Sequence, residues 1–435
     1  MRLSGYNRWM RWIAWVGSVG LVLTAGPADA QRMSCSVPAQ NLFVRDHLQD
    51  IYLWAEDLPD LDPLAFGSPE AYLEAVRHRP LDTSYSYIAP RAAHEAFFSD
   101  SEFIGFGFSS KQDDGGIRVG QVFPESPAAD AGLERGATLL AIDGRPVDEL
   151  LAAGGYAAAL GPDAVGVTVQ LTWRSPDGTR RQETLAKGVV RIPTVSDLAV
   201  VDWNGRRVGY LHFRNFVGPS VAALDLAFEE LLQAGVDELV LDLRYNGGGL
   251  LAVAQHLGGL IGGAGTEGEV FTQLVHNTAN SSRNVAYPYP PSPPAALELT
   301  RIAIITTHGS ASASELLITA LRPFVSLGVI GDTTYGKPVG QYSYNFCEKT
   351  LVPVAFRFLN ARGEGDFFEG IPADCAAADD LDVALGDPRE ASFAEALHWL
   401  TTGACSQAAQ ARGSVSAQSR PRSDRSGWQD LVGAH

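Results

Sequence analysis

Across residues 301–323 the chain changes from one backbone period to another over a single turn, and few folds accommodate that change. Ile302, Ala303, Ile304 and Ile305 form a short apolar run without charge, the pattern of a buried strand. Gly309 and three alternating serines, Ser310, Ser312 and Ser314, come next. Leu316, Leu317, Ala320 and Leu321 then recur at helical spacing until Pro323 ends the pattern. A strand–turn–helix corner holds a hydroxyl clear of the backbone. Backbone N–H groups at the helix start can face developing negative charge. The corner therefore suits a serine nucleophile.

A serine hydroxyl is a weak nucleophile without a base. Lysine scarcity singles out a candidate. Of 33 Lys and Arg residues, four are lysines: Lys111, Lys187, Lys337 and Lys349. Where any cation will serve, this chain uses arginine, which cannot give up its proton as a desolvated lysine can. Lys337 lies in Tyr335-Gly336-Lys337-Pro338-Val339-Gly340-Gln341, a glycine-flanked turn after the apolar Gly328-Val329-Ile330. Such a turn can point a side chain inward.

On these residues the stretch resembles the carboxyl-terminal processing proteases, also called tail-specific proteases. Their motif is a Ser-Ala-Ser-Glu corner followed by a Gly-Lys turn and a glutamine. Ser312-Ala313-Ser314-Glu315 match the corner, Lys337 follows Ser312 by 25 residues, and Gln341 follows Lys337 by four. The turn reads GKPVGQ where many members read GKGTVQ, which marks a different branch. The resemblance covers roughly residues 100 to 375. It implies a serine–lysine dyad of Ser312 and Lys337, with Gln341 holding the lysine. An ordinary lysine titrates near about 10.4, so its pKa must fall by roughly three units for work near neutral pH. Burial can supply that. This chemistry requires no metal and no cofactor.

The N-terminus has the pattern of an export leader. Arg2, Arg8 and Arg11 supply positive charge, residues 12–24 form a mostly apolar run of 13, and Ala28-Asp29-Ala30 fits a signal peptidase site. The run is short for a membrane span. A signal peptide over residues 1–30 and an exported, periplasmic-type protein with no stable membrane span are expected. Four cysteines, Cys35, Cys347, Cys375 and Cys405, fit an oxidising compartment and do not have zinc spacing. Three pairings are possible. Cys347 with Cys375 is preferred because residues 351–374 read as a strand pair around a turn at 360–363, which leaves Cys35 for Cys405. A formal charge of −17 argues against nucleic acid and anionic membrane surfaces as partners.

The expected organisation is a helical domain at 31–98, a PDZ-like domain at 99–190, a protease core at 191–405 and a disordered tail at 406–435. In the PDZ-like part, Gly105-Phe106-Gly107-Phe108 resembles the loop whose N–H groups hold a peptide's terminal carboxylate. The stretch 126–133 resembles the helix opening that follows in such domains, and Phe106 and Phe108 are candidates to line its side-chain pocket. A peptide would add as an extra strand at an open edge. Strands at 208–213 and 239–244 alternate with helices at 220–234 and 250–260, which implies an α/β core with a largely parallel sheet. The resemblance makes that core crotonase-like. Gly247 or Gly248, in Tyr245-Asn246-Gly247-Gly248-Gly249, would supply one oxyanion donor and the N–H of Ala313 the other. Asp242 and Arg244 read as structural. Residues 262–298 read as a long excursion rich in Gly, Asn, Ser and Pro.

The expected function is a serine endopeptidase that takes protein or peptide substrates by unstructured C-terminal tails. Two readings compete with it. One is a Ser–His–Asp hydrolase using His308. The other is a PDZ scaffold with an inactive protease fold.

Overall fold

The computed structural model describes residues 34–113 and 116–413. The expected signal peptide, and the tail beyond residue 413, lie outside the described residues. Among the described residues no helix is long and apolar enough to cross a membrane.

The run at 302–305 becomes the strand Arg301–Thr306, in a six-stranded sheet. The strand order is Val195–Trp203, Arg206–Phe213, Glu238–Asp242, Arg301–Thr306, Ser326–Gly331, Cys375–Ala376. Only the first two strands pair antiparallel; the rest are parallel. Alternate residues feed opposite faces, as the pleat requires. Ile302 and Ile304, with Leu239 and Leu241, pack under the helices Ser220–Gln233, Leu251–Gly262 and Ala313–Leu321. Ala303 and Ile305, with Val240, pack against Phe393, Ala396 and Leu397 of the helix Ala391–Thr402. Burial on both faces explains why these strands show no polar alternation in sequence.

The expected excursion at 262–298 is in fact structured. Its strands Val270–His276 and Val285–Pro288 join Val354–Leu359 and Val339–Gln341 in a four-stranded antiparallel sheet. The N-terminal region has the expected helices, Val37–Ile51 and Pro69–Val76, and adds a strand, Tyr87–Pro90, paired with Lys349–Val352. Its Val44, Leu48, Tyr52 and Tyr85 share one apolar cluster with Val339, Leu351 and Val354. This region is thus built into the wall of the core.

The PDZ-like sheet runs Phe108–Asp113, Gly116–Val122, Thr138–Ile142, Thr168–Arg174, Arg180–Ala186. Its first strand is an edge. The domain meets the core through ions: Arg135 donates to the Tyr245 hydroxyl (2.9 Å) and Asp379 (3.1 Å), and Lys111 lies 3.3 Å from Asp379.

Two expectations need correction. The disulfides are Cys35–Cys347 and Cys375–Cys405, with Cα–Cα distances of 5.9 and 5.3 Å, and not Cys347–Cys375. The strand pair that favoured Cys347–Cys375 does not exist, because Val354–Leu359 pairs with Val270–His276 and Val339–Gln341 instead. Cys347 sits at the tip of the hairpin Tyr344–Phe346/Lys349–Val352, whereas Cys375 opens a strand at the edge of the parallel sheet. Non-reducing peptide mapping is expected to recover Cys35 linked to Cys347 and Cys375 linked to Cys405; a Cys347–Cys375 peptide would overturn this pairing. Secondly, residues 407–413 are not disordered. They form the helix Gln407–Gly413, capped by the Ser406 hydroxyl on the Ala409 N–H (3.2 Å), with Ala409 buried.

Candidate active site

Two of the three corner serines spend their hydroxyls on structure. Ser310 Oγ donates to the Leu243 carbonyl (2.7 Å) and Ser314 Oγ to the Asn246 carbonyl (3.0 Å), and both residues are fully buried. Ser312 between them is partly exposed and caps the helix Ala313–Leu321. Its backbone has φ 55° and ψ −110°, a left-handed conformation that a residue with a side chain rarely adopts. Such strain costs about 1–3 kcal/mol and must be held by its surroundings.

Glu315 is what holds it. The carboxylate is fully buried and takes four donors. Oε2 accepts the N–H of Ser312 (2.8 Å) and of Lys337 (2.8 Å). Oε1 accepts the Thr334 hydroxyl (2.5 Å) and the N–H of Gly336 (2.6 Å). One carboxylate oxygen thus grips the serine corner and the lysine turn together. Burial pushes the Glu315 pKa above the usual carboxylate range, against the pull of the Thr334 hydroxyl and the three N–H groups. In the sequence Glu315 stands in the corner motif with no task of its own. A glutamate three residues after a helix-capping serine is the available signal.

Lys337 is 8% exposed, and its Nζ donates to Gln341 Oε1 at 2.6 Å. The other three lysines meet carboxylates: Lys111 with Asp379, Lys187 with Asp163 and Lys349 with Glu70. Gln341 is itself oriented, because its Nε2 donates to the carbonyls of Tyr85 (2.5 Å) and Val352 (3.1 Å). Gly336 has φ 92°, and a Cβ there would lie 2.3 Å from the Phe368 carbonyl oxygen, so the turn before the lysine needs glycine.

The glycine loop approaches the same corner. A Cβ on Gly248 would fall 2.8 Å from the Ala311 oxygen and the Ala313 nitrogen, so only glycine permits this contact. The N–H of Gly248 already donates to Asn246 Oδ1 (2.9 Å), which leaves Gly247 as the glycine candidate to face an oxyanion. The loop springs from a buried ionic hub. Arg244, wholly inaccessible, contacts Asp242 (2.6 Å), Glu390 (2.8 Å) and Asp379 (3.3 Å). Burial opposes the charge on Asp379, but Arg244, Lys111 and Arg135 hold its pKa down at about 2. Asp242 and Arg244 therefore anchor the strand end from which residues 245–249 depart.

His308 lies with its ring on Tyr335, centroids 5.3 Å apart. In the PDZ-like domain, Phe106 and Phe108 are fully buried in its core with Val119, Leu139 and Trp173. Their side chains do not line an open pocket, contrary to expectation. The carbonyls of Phe106 and Gly107 accept from Ala128 and Phe123 (2.8 Å each), which fixes the loop at 105–108. On the adjoining edge strand Ser110 Oγ lies 3.1 Å from the Tyr156 hydroxyl of the facing helix Tyr156–Ala159.

Comparison with known proteins agrees with this architecture. The family profile "Peptidase family S41" matches residues 207–377, "Peptidase S41 N-terminal domain" matches 39–87 and "PDZ domain" matches 97–153. A carboxyl-terminal-processing protease of Picosynechococcus is 31% identical over 215 residues, 49% of this chain and 49% of that protein. The carboxy-terminal processing protease CtpB of Bacillus subtilis is 28% identical over 292 residues, 62% of this chain and 55% of that protein. The chain thus spans about half the length of each of these relatives. Among solved structures, a putative S41 protease from Bacteroides fragilis superposes with a TM-score of 0.66 at 24% identity, covering 83% of this chain and 97% of that one. The photosystem II D1 C-terminal processing protease gives 0.51 at 19% identity over 80% and 94% of the two chains. Both share the fold. By profile, residues 39–87 and 207–377 of the chain belong to peptidase family S41.

Proposed function

We propose that the protein is a serine endopeptidase in which Ser312 is the nucleophile and Lys337 the general base. The observation that carries this is Glu315, whose one carboxylate holds the serine corner and the lysine turn while Lys337 Nζ rests on the neutral Gln341. In the reaction, neutral Lys337 takes the Ser312 proton as Oγ adds to the scissile carbonyl. The N–H groups of Gly247 and Ala313 face the oxyanion. Collapse of the tetrahedral adduct breaks the C–N bond, and the lysine ammonium returns its proton to the leaving amine. Water, deprotonated by the same lysine, then adds to the acyl carbonyl; the acyl–Oγ bond breaks, and the lysine ammonium returns its proton to Ser312 Oγ. The two disulfides and the charge of −17 support work on exported proteins rather than on polyanions.

Substrates are taken by their C-terminal tails. The edge strand Phe108–Asp113 offers main-chain pairing, and the loop at 105–108 offers N–H groups to a terminal carboxylate. Charge-assisted hydrogen bonds are stronger than neutral ones. Amidating the tail of an unfolded substrate is therefore expected to weaken binding about tenfold, near 1.4 kcal/mol, and to slow its degradation. Equal binding and degradation of acid and amide forms would remove tail recognition from the reading.

A further inference from the structure

The lysine turn is touched by a residue from far along the chain. Tyr85 is 1% exposed. Its hydroxyl donates to the Gly336 carbonyl, its own carbonyl accepts from Gln341 Nε2 at 2.5 Å, and its ring centroid lies 5.9 Å from Lys337 Nζ. One residue thus meets the backbone before the lysine, the amide that holds the lysine and the head group itself.

The segment bearing Tyr85 is rigidly built. Asp82 accepts the Tyr52 hydroxyl (2.8 Å) and the Ser86 N–H (2.9 Å). The Ser86 carbonyl accepts from Arg77 (3.0 Å), and Ser86 Oγ accepts the Val354 N–H (2.9 Å). Ser84 Oγ lies 2.9 Å from the Tyr335 hydroxyl, beside the same turn. Tyr87 then pairs in register with Val352, whose carbonyl is the second acceptor of Gln341. None of this is needed merely to cover an apolar face, for which Phe would serve better than Tyr.

Resting on the serine–lysine reading, we infer that Tyr85 is a positioning residue for the general base. It fixes where Lys337 Nζ stands and keeps bulk water from it, so the N-terminal region forms a wall of the active site. Among the described residues, the titratable groups brought to this turn include Glu315, Tyr85, Tyr335 and, with its ring tilted against Tyr335, His308.

The test is Tyr85→Phe in the full chain, which keeps the ring and loses the hydroxyl. On a labelled unfolded protein, kcat is expected to fall about tenfold with KM within about twofold, because the base is displaced while the binding surfaces are untouched. The acidic limb of kcat against pH is expected to move upward by about half a unit or more, since a looser turn lets water stabilise the ammonium form. Tyr289→Phe is the control. It removes an equally buried hydroxyl, one that donates to the Ala320 carbonyl (2.8 Å), and should lower the Tm without moving the limb. Should Tyr85→Phe fail to fold by circular dichroism, Ser84→Ala loosens the same segment and carries the same expected limb shift. A wild-type kcat and limb in the folded variant, or an equal shift in Tyr289→Phe, overturns the role of Tyr85. Lys337→Ala, measured alongside, separates the two possible failures. Turnover that survives without Lys337 removes the dyad and the role of Tyr85 with it. A dead Lys337→Ala beside an unaffected Tyr85→Phe removes the role of Tyr85 alone.

Discussion

Replacing Lys337 by arginine is expected to abolish cleavage as completely as replacing it by alanine. A guanidinium keeps the positive charge but cannot accept a proton at any working pH. If Lys337 acted only as a cation that steadies an oxyanion, arginine would retain much of the activity. A general base contributes about 10²–10⁴-fold, and loss of the Ser312 hydroxyl removes the covalent step altogether. Turnover of an unfolded protein such as casein should therefore fall at least about a thousandfold in Ser312→Ala, Lys337→Ala and Lys337→Arg. Circular dichroism should show all three folded, because the Lys337 Nζ–Gln341 contact that the lysine variants lose is a hydrogen bond to a neutral amide. A Lys337→Arg enzyme with near-wild-type turnover would refute the base. A dead His308→Ala beside an active Lys337→Ala would hand the chemistry to the histidine.

The second large effect is expected at Glu315. Its two oxygens accept four hydrogens and offer none. Glutamine has the same shape but presents an NH2 group where one oxygen stood. With the NH2 where Oε2 stood, the N–H of Ser312 and of Lys337 both face a donor; with it where Oε1 stood, the Gly336 N–H does, while the Thr334 hydroxyl can turn to accept. Each unsatisfied group costs about 1–3 kcal/mol, so Glu315→Gln should lose roughly 1–6 kcal/mol of stability. In either orientation the serine corner or the lysine turn loses an anchor, so kcat should fall about a hundredfold even where the protein is folded. Calorimetry and turnover on the same sample separate the two losses. Wild-type kcat in Glu315→Gln would show that the shared carboxylate does not align the site.

What could be read in advance depended on distance along the chain. Ser312 and Lys337 stand out by residue chemistry, and Gln341 enters through the motif that the stretch resembles; the three lie on neighbouring elements, so their pattern is visible without coordinates. The strand at 302–305 is visible for a similar reason, because burial on both faces erases polar alternation. The partners of Arg244 were not visible. Asp379 and Glu390 lie 135 and 146 residues away, and an acidic residue in a loop carries no mark of its partner. The disulfides escaped because four cysteines permit three pairings and the choice is made by sheet neighbours. Phe106 and Phe108 cannot be assigned from sequence because a glycine-flanked aromatic serves a pocket or a core equally well, and only the packing of Trp173 and Val119 around them decides. Tyr85 gave no signal, since nothing around it in sequence distinguishes it from an ordinary core aromatic.

The tie between Tyr85 and the lysine turn spans 251 residues, that to Gln341 256, and the bond from Cys35 to Cys347 spans 312. Such remote contacts form late. The order of synthesis therefore matters. A growing chain presents the aromatic wall first, then the glycine loop, then Ser312, and its base last of all. On the serine–lysine reading, a chain released just after Ser312 would hold the nucleophile without its base. It also has a wall with nothing to lean on. On the serine–lysine reading, the site is complete only when the segment 336–347 has folded back onto the beginning of the described chain, so a truncation before it removes the base and the wall's anchor together.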